Sequence, residues 1–272
     1  MNYSSPDLRA YHRLFGPSVK RMYLSGDAHR WKGTYQRALW NDGDLLFDVG
    51  GHLGNDLRYF LSHAPASASV HTYEPVHAFA KQLTGRLQRW HLPNRTTVHS
   101  FGLGATNRST CMVNLVRQPN SPSSYERSGG AAFCPSPLSQ IRDVVAVIAS
   151  LAPRRITQLQ LNCEGCEYEV LGRLLDHPAE VSRIDAFEVQ FHLDFAGSTD
   201  MQRYCAMERK LRASGFELAY RFSFSWERWD RRPAAFFRAL LPRPRSERTP
   251  WRGTRCSGEK CAKLARAWSV EF

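Results

Sequence analysis

Apolar residues in the middle of this chain recur with two periods, and segments of the two kinds alternate. Residues 44–49 (DLLFDV) form a short apolar run with the length of a buried strand. Gly50-Gly51-His52-Leu53-Gly54 then bends the chain. Asn55 or Asp56 stands where a cap belongs, ahead of a helix whose buried stripe is Leu57, Phe60 and Leu61. Residues 69–73 (SVHTY), rich in β-branched and aromatic side chains, read as a second strand that ends at Glu74-Pro75. Val76, Phe79, Leu83, Leu87 and Trp90 mark a long helix, and residues 96–101 (TTVHSF) a third strand.

The alternation resumes beyond residue 143. Helices are predicted over 144–151, 167–175 and 199–214, the last ended by Gly215. Strands are predicted over 156–162, within 182–191 and over 216–222, where Phe216, Leu218, Tyr220 and Phe222 alternate. Strand and helix in turn predict an α/β fold, a mostly parallel sheet with helices on both faces. Residues 117–139 interrupt this pattern with Ser, Pro and Gly, and a loop of that length is usually functional or irregular. Three regions follow: a helical lead-in over 1–40, a domain over 41–230, and a Pro- and Arg-rich tail over 231–272. Residues 267–272 of the tail alternate weakly enough to return as a last antiparallel strand.

Composition adds limits. Hydrophobic residues make up 42% of 272 positions, enough for a core, and no run approaches the roughly 20 residues of a membrane-spanning helix. The first residues lack a basic segment followed by an apolar one, so no secretory signal is predicted. The seven cysteines are scattered and odd in number. They are read as mostly reduced thiols, and the setting as cytoplasmic. Net charge is +12, an attraction for polyanions. Much of the excess is C-terminal: residues 221–266 hold thirteen Lys or Arg against Glu227, Asp230, Glu247 and Glu259.

Three strand tips carry candidate chemistry. The first is Asp48-Val49-Gly50-Gly51-His52-Leu53-Gly54, where glycines let backbone approach a ligand and the next helix presents unpaired N–H groups. A plain tight turn without a ligand is the less favoured alternative. The second is Glu74, an acid at a strand end that either grips the two hydroxyls of a ribose or caps the next helix. The third is the segment 159–171 (LQLNCEGCEYEVL), where Asn162 and Glu164 project from the carboxyl edge of the sheet. Cys163 and Cys166 form a C-x-x-C pair that cannot complete a four-ligand zinc site. They are read as inert buried thiols, and no metal is expected.

In these segments, and in Val189-Gln190-Phe191-His192 and Phe224-Ser225-Trp226-Glu227-Arg228-Trp229, the sequence resembles the FkbM-type family of S-adenosylmethionine-dependent methyltransferases over residues 44–229. The resemblance implies a Rossmann-like, seven-stranded methyltransferase sheet and O-methylation of sugars or secondary metabolites. It implies cofactor contacts from Asp48, Gly50, Gly54 and Glu74, and it matches Glu164 and Glu167 to the acidic pair of the family's fourth-strand motif. One departure matters. Many relatives carry Lys and Asp where this chain has Gln160 and Asn162, and an Asn is neither an ionised base nor a strong cation ligand.

Methyl transfer to a hydroxyl requires alignment of the reactants and removal of a proton. His192 is the first candidate base, Glu164 the second and His52 a weaker third; His192 also fits a structural, hydrogen-bonded role. Trp226, Glu227 and Trp229 either wall a substrate pocket or pack in the core, and packing is preferred. The acceptor expected is a small molecule or carbohydrate. The alternatives are an RNA methyltransferase whose basic tail tracks phosphates, and a cofactor-binding protein without turnover.

Overall fold

The computed structural model describes residues 41–92, 95–115, 118–123, 138–192, 200–222 and 226–231. The expectations for residues 1–40, for 232–272 and for a strand at 267–272 lie outside them. In chain order the main elements are β1 (Leu45–Val49), α1 (Asn55–His63), β2 (Ser69–Tyr73), α2 (His77–Arg89) and β3 (Thr96–His99). Three short strands follow, β4 (Gly102–Gly104), β5 (Arg108–Thr110) and β6 (Val113–Leu115), then β7 (Gln118–Ser123) and β8 (Ser139–Asp143). The second half runs α3 (Val144–Leu151), β9 (Gln158–Leu161), α4 (Glu167–Leu175), α5 (Pro178–Val181), β10 (Ala186–Val189), α6 (Asp200–Ala213), β11 (Glu217–Phe222) and β12 (Trp226–Asp230).

Seven strands form one sheet in the order β11-β12-β10-β9-β1-β2-β3. The pairs from β10 to β3 are parallel, and β12 is antiparallel to both its neighbours. From β1 the chain builds outward through β2 to β3, then crosses back to start β9 on the other side of β1. That reversal leaves a crevice beyond the carboxyl ends of β1 and β9.

Period-two alternation along β1 divides the core. Leu46 packs with Leu57, Phe60 and Leu61 of α1 and with Leu83 and Leu87 of α2. Phe47 and Val49 join Val147 and Ile148 of α3, Val170, Leu171 and Leu174 of α4, and Leu211 of α6. Helices therefore cover both faces, as the alternation predicts. At about 25 cal/mol per Å² of apolar surface removed from water, each fully buried Leu, Ile or Phe contributes roughly 1.5–3 kcal/mol.

A polar row crosses the Leu46 face beneath the core. Thr72, Asp48, Gln160, Glu188 and Arg228 stand side by side on β2, β1, β9, β10 and β12. All are buried. Each is partnered: Thr72 and Gln160 donate to Asp48, Gln158 donates to Glu188, and Arg228 donates to Gln158 and Asp230. Unpaired, such groups would each cost about 1–3 kcal/mol.

One expectation changes. The segment 117–139 begins not as a loop but as β7, paired antiparallel with β6, while β8 joins β4 and β5 in a three-stranded sheet. Beside β10 runs the antiparallel strand β12, whose five residues are all buried, so Trp226, Glu227 and Trp229 pack in the core, as the sequence reading prefers. Glu227 accepts from the Trp229 indole and from the Tyr204 hydroxyl.

Candidate active site

The crevice between β1 and β9 opens into a cavity of about 310 Å³. Three strand tips line it: Gly50, Gly51 and His52 after β1, Glu74 and Pro75 after β2, and Asn162, Cys163 and Glu164 after β9. Asn55 and Asp56 add the first turn of α1, and Met112 reaches it from the stretch before β6.

The glycine bend is demanded by packing as much as by any ligand. At Gly50, with φ +93°, a Cβ would sit 2.0 Å from the Asn162 carbonyl oxygen, so the β1 and β9 tips touch backbone to backbone. Gly54, with φ +81°, is the N-cap of α1, and a Cβ there would meet Leu83 Cδ1 at 2.4 Å. Gly54 thus locks α1 against α2 and stands outside the cavity wall.

Glu74 is 4% exposed. Its Oε2 accepts the His52 N–H at 2.7 Å and its Oε1 the Val76 N–H at 2.8 Å. Burial pushes its pKa up, the two N–H bonds hold it down, the charge of Asp48 pushes it further, and the result is about 7. Among the described residues its hydrogen-bond donors are these two backbone N–H groups, and the carboxylate lies on the cavity wall. Each oxygen retains acceptor capacity beyond its single N–H bond.

Asp48 lies behind the wall. Its Oδ2 accepts from Thr72 Oγ1 at 2.8 Å and its Oδ1 from Gln160 Nε2 at 3.1 Å. The predicted capping role of Asn55 or Asp56 is not observed, since Gly54 caps α1 with no side-chain hydrogen bond. Asp56 instead accepts from Asn162 Nδ2 at 2.9 Å and puts a carboxylate on the wall. Sequence reasoning missed Asp56 as a cavity-lining residue, although an acid two positions after the Gly50–Gly54 bend was the available signal. Met112 had no local signal.

The third tip gathers an acid–imidazole–acid row. Glu167, fully buried at the start of α4, accepts the Cys163 N–H and the Gly165 N–H, both at 2.9 Å. His192, beyond the end of β10, places Nδ1 2.8 Å from Glu167 Oε1 and Nε2 3.6 Å from Glu164 Oε1. Burial pulls the imidazole pKa down, but the Glu167 and Glu164 carboxylates outweigh it and raise it to about 9. At neutral pH His192 therefore holds its proton, and Glu164 is the member of the row that lines the cavity.

The cysteine reading is corrected. Cys163 and Cys166 form a disulfide, with Cα atoms 5.4 Å apart, and Cys111 and Cys205 are disulfide-bonded as well. The expectation of a cytoplasmic setting loses its premise. Among the described residues no group of three or more His, Cys, Asp or Glu is placed to hold a metal ion. Among them, too, no helix is long and apolar enough to cross a membrane.

No family model and no curated protein matches the chain. Solved structures do. Methyltransferase FkbM from Methylobacillus flagellatus KT aligns at 16% identity over 70% of this chain and 44% of its own, with a TM-score of 0.48. This chain thus spans less than half the length of that protein. A methyltransferase from Geobacter sulfurreducens aligns at 11% identity over 85% of this chain and 93% of its own, with a TM-score of 0.44. A SAM-dependent O-methyltransferase from Thermotoga maritima aligns at 14% identity over 71% and 52%, with a TM-score of 0.40.

Proposed function

We propose that this protein is an S-adenosylmethionine-dependent methyltransferase with the Rossmann-like, seven-stranded sheet of that class, acting on a hydroxyl of a small molecule or carbohydrate. The observation that carries the reading is Glu74, a buried carboxylate at the tip of β2, facing a cavity at the point where strand order reverses. Glu74 fits the two hydroxyls of a ribose, and the Gly50-Gly51 backbone beside it lets a nucleoside approach. Asp56 and Asn162 fit the amino-acid end, where a carboxylate meets an ammonium. Asp48 and Gly54 act by holding these groups in place rather than by contact. When bound, S-adenosylmethionine supplies an electrophilic methyl on a sulfonium.

The remaining chemistry belongs to the chain. Glu164 accepts the hydroxyl proton as charge develops on the acceptor oxygen, a contribution of about 10²–10⁴ in rate. His192, charged and bonded to Glu167, holds Glu164 in place as a cation behind it. In this reading His192 positions the base and is not itself the base at neutral pH. Among the described residues that line the cavity, Asp56, Glu74 and Glu164 are carboxylates and none is Lys or Arg, which disfavours a phosphate-rich acceptor and favours a neutral or cationic one.

Calorimetry with S-adenosylhomocysteine, followed by transfer of labelled methyl into fractionated glycans, small metabolites and RNA, tests the proposal. Binding that is lost in Glu74→Ala, with label in a hydroxylated small molecule, is expected. Absence of binding by the folded wild-type protein overturns it, and label in RNA overturns the acceptor class.

A further inference from the structure

The turn that carries Glu164 is closed by the disulfide that brackets it. Glu164 has φ +55°, a left-handed conformation that a side chain other than Gly adopts at a cost, and Gly165 follows at φ +107°. Among the described residues, this turn is held by the two N–H bonds to Glu167, the approach of His192, and the Cys163–Cys166 bond. The last is a covalent bond that an outside thiol can open. Cys163 is half-buried and lies on the cavity wall, whereas Cys166 is 8% exposed at the N-cap of α4.

We propose that Cys163 and Cys166 are a thiol–disulfide exchange site for small thiols, opened at Cys163, whose redox state sets the conformation of the Glu164 turn. A thiolate reagent attacks Cys163 Sγ, forming a mixed disulfide while Cys166 leaves as a thiolate and takes up a proton. A second reagent thiolate attacks the reagent sulfur of that mixed disulfide, and Cys163 leaves and is protonated. Two reagent thiols become one reagent disulfide, and the protein gains two thiols.

Geometry supports a local effect. The bridge spans a sequence separation of three, so it restrains the unfolded chain far less than a long-range bridge does. Reduction therefore leaves the fold standing and removes the covalent restraint on the Glu164 turn. The consequence for catalysis rests on Glu164 being the base; the exchange chemistry does not.

The test uses the full chain equilibrated in glutathione buffers from oxidised to reduced. Alkylation and mass spectrometry read the state of Cys163 and Cys166, and hydrogen exchange reads the amides of residues 163–167. The expected result is reduction of this pair in the folded protein with about tenfold faster exchange in that turn and unchanged exchange in β1. The double variant Cys163→Ser/Cys166→Ser is expected to exchange fast in every buffer, which separates this pair from Cys111 and Cys205. Reduction only on global unfolding, or equal protection in both states, overturns the proposal. S-adenosylhomocysteine calorimetry on the same samples keeps the two readings apart. No binding in either state removes the methyl-donor reading alone, and binding with unchanged protection removes the redox site alone.

Discussion

Glu74, at the tip of β2, accepts the backbone N–H of His52, in the bend after β1, at 2.7 Å. The acid read from the sequence as a ribose ligand is thus also the clasp of the glycine bend. One residue shapes the cradle and faces its interior, so its charge state couples ligand binding to the fold.

Glu74→Gln separates these two duties. A Gln side chain has one carbonyl oxygen for the two N–H groups, and it carries no charge to bury. S-adenosylhomocysteine affinity is expected to fall about tenfold or more. Thermal melting of the ligand-free variant at pH 8 is expected to match or exceed wild type, because the penalty of a buried anion is gone. A calorimeter and a melting curve on the same two proteins check both halves.

Binding should depend on pH through the same residue. The Glu74 carboxyl has an ordinary value of 4.5 and titrates at about 7 in the fold. A raised value in the fold means stability from this group is full below 4.5 and lost as pH rises through 7. Hydroxyl donors from a ligand favour the ionised form and lower that value again. S-adenosylhomocysteine affinity is therefore expected to rise from pH 5 to about pH 7 and then level off, with a proton released on binding. Calorimetry in buffers of different ionisation heat measures the proton directly.

His192 makes a second window. Its value rises from 6.5 to about 9, so its contribution to stability is complete below 6.5 and lost as pH climbs through 9. Wild-type denaturation midpoints should decline across that range, and His192→Gln should be flat there while less stable at pH 6. Equal slopes for the two proteins would show that the imidazole does not hold its proton in the fold.

Glu164→Gln should keep S-adenosylhomocysteine affinity within about threefold and lower methyl transfer by about 10²–10⁴. Initial rates with saturating donor check it, once an acceptor is in hand. If His192 were the base instead, the activity of Glu164→Gln would persist, and wild-type turnover would climb with pH toward about 9 and level off above it.

Asp48→Ala should damage the fold before it damages binding. It removes the acceptor of Thr72 Oγ1 and Gln160 Nε2, both buried, at a cost of about 2–4 kcal/mol. Urea denaturation measures the loss. The cofactor contact that the family resemblance implies for Asp48 would show instead as lost S-adenosylhomocysteine affinity in an Asp48→Ala protein of wild-type stability.

Much of the architecture was legible because period and punctuation are local. SVHTY is a strand by its β-branched and aromatic residues, and the 167–175 helix begins and ends where its apolar spacing does. Gly50, Glu74, Asn162 and Glu164 stand at strand tips recognisable from neighbours in sequence, and all four line the cavity. What escaped depended on distance. Gln160 looks the same in sequence whether it faces water or a buried Asp48 on the next strand, and Cys163 and Cys166 look the same reduced or bonded. The order of side chains along the chain determined where strands stop and which acids stand at their ends. Only the packing of β1 between β2 and β9 decided that Glu74 meets the cavity while Asp48 turns inward, because hydrogen-bond partners and solvent are assigned by neighbours across the sheet.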